Sequence, residues 1–125
     1  MPRHPLKQRD ITFGGTPAGM LERTVTLHDG RAYTHRCCRE VFEAVARHLD
    51  EHQDEGVTMN SLADAIDAPM TQVNVALQLL TERGLLESHS RLNYVAPGYA
   101  DGFYEDALTE FLALVEGHPP EFRDS

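Results

Sequence analysis

The side chains of this 125-residue chain that could do chemistry are histidines, cysteines, scattered carboxylates and a group of amides. His48 and His52 are four residues apart, a spacing that on a helix lets two imidazoles share one metal ion. His35 and Cys37 lie nearby in sequence. No tight Cys/His spacing completes a ligand set, and cationic groups are mildly favoured near the end of a helix, so neither a metal nor a cofactor is expected. Cys37 and Cys38 are adjacent and cannot build a disulfide framework. On a helix they would point in different directions, with Cys38 in the core and Cys37 partly exposed. Gly14-Gly15 lacks the longer glycine pattern of a phosphate loop. The carboxylates are spread over helix surfaces and the C-terminal tail, with no paired acid and base and no activated nucleophile discernible from spacing. A non-enzymatic protein is expected. The amides of Gln72, Asn74 and Gln78 remain, and these are groups that can hydrogen-bond adenine edges.

The elements that must position these groups follow from periodicity and breakers. Residues 1–20, with three prolines and three glycines, read as a flexible arm. Leu21, Arg23, Val25 and Leu27 alternate with Glu22, Thr24, Thr26 and His28, a half-buried strand. Asp29-Gly30 is a two-residue turn signal, so 21–34 reads as a hairpin. Cys38, Val41, Phe42, Val45 and Leu49 recur at helical spacing, with Thr34 as N-cap and Gly56 as the stop. The first helix is placed at 35–53. Val57 to Met59 suits a short strand, and Ser61-Leu62-Ala63-Asp64 a capping box before a second helix. Ala68-Pro69 interrupts, and Val73, Ala76, Leu77 and Leu80 define one face of a third helix ending at Gly84. Leu85–Glu87 and Leu92–Ala96 read as two strands around a turn at 88–91. A last helix, 101–116, carries Tyr104, Leu108, Phe111 and Val115 on one face, and 117–125 is a solvated acidic tail. The fold class is mainly α with small β (α+β), in one domain over 21–116.

Within 57–96, SLADAIDAPMTQVNVALQLLTERGLLE resembles the winged helix-turn-helix of bacterial and archaeal transcription regulators, the MarR and ArsR types among them. Leu62, Ala63 and Ile66 fall where the second helix buries its core side, and Pro69 where the recognition helix begins. Val73, Leu77 and Leu80 match that helix's inner face, and Glu82-Arg83-Gly84-Leu85-Leu86 the passage into the wing. The resemblance implies that Met70, Thr71, Gln72, Asn74, Val75, Gln78 and Leu79 face outward to nucleic acid or a partner, joined by His89 and Arg91 of the wing. It also implies a homodimer, for which Tyr104, Leu108, Phe111, Leu112 and Val115 offer the apolar surface.

Charge bears on the choice of partner. The net charge is -9, and no Lys or Arg occurs between Arg47 and Arg83. Since phosphate contacts supply most non-specific DNA affinity, cations would have to come from the arm, at Arg3, Lys7 and Arg9. Two readings follow. One is a dimeric, transcription-regulator-like protein that binds double-stranded DNA. The other is a winged helix whose third helix, with Val75 and Leu79 exposed, contacts a protein instead. No apolar run approaches the roughly 20 residues of a membrane span, and MPRHPLKQRD lacks a secretory apolar stretch, so a cytoplasmic location is expected.

Overall fold

The computed structural model describes residues 10–90, 93–98 and 102–116. It is an α+β fold of four helices and two three-stranded antiparallel sheets.

The first sheet is a meander of β1 (Asp10–Gly15), β2 (Leu21–Thr26) and β3 (Ala32–Cys37). Residues 10–15 are thus a strand rather than part of an arm, in register with β2 from Asp10↔Thr26 to Gly15↔Leu21. Gly30, at φ 94°, makes the turn from β2 to β3, where its N–H donates to Leu27 O. A left-handed residue is what such a turn requires. Strand parity sorts β2: Leu21, Arg23 and Val25 are buried, while Glu22, Thr24 and Thr26 are half-buried on the outer face. There Glu22 pairs with Arg36 at 2.9 Å and the Thr24 and Thr34 hydroxyls meet at 3.0 Å.

Helix α1 (Arg39–Glu51) starts later than the periodicity suggested, and Cys38, not Thr34, is its N-cap. Residues 35–37 continue β3 because pairing with β2 runs on to Leu21↔Cys37. That parity places Cys37 wholly in the core and leaves Cys38 partly exposed, the reverse of the helical assignment. α1 buries Phe42, Val45, Ala46 and Leu49. After β4 (Gly56–Val57), helix α2 (Met59–Ile66) opens on a capping box. Its N-cap is Thr58, whose hydroxyl accepts the Ser61 N–H at 3.0 Å, while Ser61 Oγ accepts the Thr58 N–H at 3.1 Å. The box therefore lies three residues before the sequence-read one. Helix α3 (Met70–Glu82) begins after Pro69, which provides no side-chain cap.

The strands β5 (Glu87–Ser90) and β6 (Asn93–Val95) complete the second sheet in the order β4-β6-β5. β5 begins where the first of the two strands was expected to end. Helix α4 (Phe103–Val115) packs on α1 and β1. At Gly15 the β1 backbone lies so close to the α4 backbone that a Cβ would strike Leu114 O at 2.5 Å and Val115 Cα. Glycine is the residue that permits this approach. None of the described helices is long and apolar enough to cross a membrane.

Two titratable features follow from this packing. Burial pushes the Cys37 thiol up to about 12, so the nucleophilic thiolate is scarce at neutral pH. Under native conditions an alkylating reagent is expected to modify Cys38 well before Cys37, as read by peptide mass spectrometry, and denaturant should make the two equal. On α1, the His48 and His52 rings stack at 4.1 Å, and His52 Nδ1 lies 2.7 Å from His48 O. Partial burial, with His52 adding to it, lowers the His48 pKa below 6.5. The unfolded chain then binds the proton better, so stability is unaffected above the unfolded value and falls as pH drops through it. His48→Gln is expected to flatten the urea midpoint between neutral and mildly acidic pH. An unchanged slope would remove His48 as the cause.

Candidate functional site

Helix α3 is the element from which a recognition surface was expected, and its burial divides that surface. Val73, Ala76, Leu77 and Leu80 are fully buried, with α3 packing against α1 and α2. Val75 and Leu79 are also fully buried, at 0% exposure. This corrects their outward assignment: β2 and β3 of the N-terminal sheet pack against α3, and that side becomes a second core face. Six of the thirteen residues of α3 are buried, which leaves little of it to present to another molecule.

The polar residues of α3 are partly used inside the fold. Gln72 Oε1 accepts the Cys38 backbone N–H at 2.9 Å, joining α3 to the start of α1. Gln78 Nε2 donates to the Tyr94 hydroxyl of β6 at 3.5 Å. Met70, 45% exposed, and Thr71 stay open to solvent, and Asn74 is half-buried. His89 is exposed and paired with Glu87 at 2.8 Å, whereas Arg91 and the arm residues Arg3, Lys7 and Arg9 lie outside the described residues.

The expected dimer residues of α4 serve its own domain. Phe111 is fully buried, its ring 4.8 Å from that of Phe42, so it is a core residue rather than a contact for a second chain. Tyr104, Leu108, Leu112 and Val115 are half-buried and pack against the same core. Tyr104 also lies under the Arg47 guanidinium at 4.5 Å. The breadth of the stripe on α4 is accounted for by having both α1 and β1 to cover.

What the fold brings together instead is a cleft of about 150 Å³ between β3 and the start of α3, lined by His35, Met59, Met70, Thr71 and Asn74. The exposed Tyr33 ring lies 5.2 Å from that of His35. Beside His35, as its register partner on β2, lies Arg23, with 6% exposure the one buried charged residue among the described residues. Its Nη2 reaches His35 Nδ1 at 3.4 Å. Guanidinium groups only donate, so Nδ1 accepts and the ring proton sits on Nε2. Sequence reasoning did not single out Arg23, yet the signal was there: the alternation of β2 puts Arg23 on the same face as Leu21 and Val25.

The chain matches no protein-family model, no curated protein and no solved structure. Among the described residues no group of three or more His, Cys, Asp or Glu side chains converges as a metal site would require.

Proposed function

We propose that the protein is a non-enzymatic regulatory module with a winged-helix-like core, and that it acts by contacting another protein rather than by reading DNA. The order α1, α2, α3, followed by the antiparallel β5 and β6 with β4 beside them, supports the winged-helix reading. The observation that bears on the choice of partner is the complete burial of Val75 and Leu79, in a fold whose N-terminal sheet packs against α3; it counts against DNA reading and also removes these two residues as a protein contact, so the contact must lie elsewhere. A helix that enters the major groove needs its outward stripe free, and on α3 that stripe is occupied. The helix also lacks any lysine or arginine, against the cations that DNA binding ordinarily demands. The contact surface in this reading is the exposed apolar group Tyr33 and Met70, with Ile11 at the far edge of the sheet.

A photo-crosslinking residue at position 70, introduced into the full chain in cells, tests the reading. The expected product is a discrete adduct that protease removes and nuclease does not. An adduct sensitive to nuclease, or a selected DNA duplex whose low-salt affinity collapses on Asn74→Ala, would establish the DNA-binding reading instead.

A further inference from the structure

We infer that the cleft between β3 and the N-terminus of α3 is a binding site for a small organic acid, a carboxylate on a short apolar body. The case begins with Arg23. A guanidinium remains charged at every physiological pH, and a buried charge is costly unless it is paired. Arg23 is 94% removed from solvent, as its 6% exposure implies, and its Nε has no hydrogen-bond partner. Each ion pair among the described residues involves another cation. Its hydrogen bond runs to the neutral nitrogen of His35, which does not offset the charge. The fold therefore holds an uncompensated positive charge next to His35, one of the residues that line the cleft.

The cleft supplies donors that suit a carboxylate. His35 presents Nε2–H, since Arg23 holds Nδ1 as the acceptor. Helix α3 opens there with no side-chain cap, so its first N–H groups and the helix dipole favour negative charge. The Thr71 hydroxyl and the Asn74 amide line the same space. The remaining walls, Met59 and Met70, are apolar and adaptable. A volume of about 150 Å³ matches a benzene-sized body, too small for a nucleotide and ample for a short aliphatic chain. The acid group would lie against His35 and the helix start, and its chain against the methionines.

Titration of the full chain with sodium hexanoate at constant ionic strength, followed by NMR of His35, Thr71 and Asn74, tests the site. Hexanamide serves as the uncharged probe and acetate as the probe without an apolar body. Saturable shifts confined to the cleft are expected with hexanoate, and each of the other two should bind at least about tenfold more weakly. Thr71→Glu, at an exposed position that leaves the core intact, places a carboxylate in the cleft and should abolish the response. Arg23→Met should erase the preference for hexanoate over hexanamide. No saturable shift with the folded wild type, equal affinities for hexanoate and hexanamide, or an unaltered response in Thr71→Glu would each overturn the inference.

Discussion

Leu79→Ala is expected to destabilise the protein by about 2–5 kcal/mol, although the residue sits where a recognition helix would turn its outer side to solvent. The side chain is fully buried, and its truncation leaves a cavity in the core beside α3 that a close-packed interior fills only in part. On an exposed face the same change would stay within about 0.5 kcal/mol. Urea denaturation at constant m distinguishes the two outcomes. Leu79→Glu goes further, because it buries a carboxylate without a partner. Against a total stability of about 5–15 kcal/mol for a domain of this kind, it is expected to leave little folded protein. A Leu79→Ala variant as stable as wild type would mean that Leu79 is not buried, and the argument against a DNA-reading α3 would lose its main support.

Phe111→Ala is expected to cost about 3–5 kcal/mol. Among the described residues Phe111 is one of three fully buried phenylalanines, with Phe42 and Phe103, and joins α4 to α1. If its role lay in a dimer, the loss would appear as a concentration-dependent change in mass. Because it belongs to the core of its own chain, the loss should appear in the unfolding midpoint of the full chain at every protein concentration. Sedimentation and denaturation of the same variant separate these outcomes.

Much of the helical part of the fold was legible because its signals are local. Pro69 and Gly84 bracket α3, and Val73, Leu77 and Leu80 recur at the period of its inner side. Periodicity shows which residues share a side of a helix, but it does not show that a second element covers the opposite side. Val75 and Leu79 were therefore read as outward. The breadth of the apolar arc on α3, which runs from Val75 and Leu79 round to Val73 and Leu77 and leaves only Thr71, Asn74, Gln78, Thr81 and Glu82 as a polar side, was the available hint, since a stripe that wide has more than one element to cover. β1 was illegible for another reason. Asp10–Gly15 is exposed over its first three residues and ends in Gly14-Gly15, so neither alternation nor composition marks a strand. Its position depends on pairing with β2 and on the α4 backbone, both distant in sequence. The cysteine pair went wrong through a boundary. Starting α1 a few residues early replaced strand parity with helical spacing and exchanged the surroundings of Cys37 and Cys38. The cleft was illegible as a unit because its walls come from β3, α2 and α3, although the inward position of Arg23 could be read from β2 alone.

The meeting of Gly15 with the backbone of Leu114 and Val115 also fixes an order of events in the life of the chain. The first described strand and the last described helix touch, so this contact closes the longest loop in the fold, and long-range closures of that kind slow folding. On the ribosome the meander β1-β2-β3 emerges before α4, and the surface that α4 covers stays open until synthesis reaches the end of that helix. Until then the Gly15 end of β1, an edge strand of its sheet, lacks its α4 cover. The native contacts are thus completed only once α4 has been made, and the interval before it is when these elements are most exposed to misassembly.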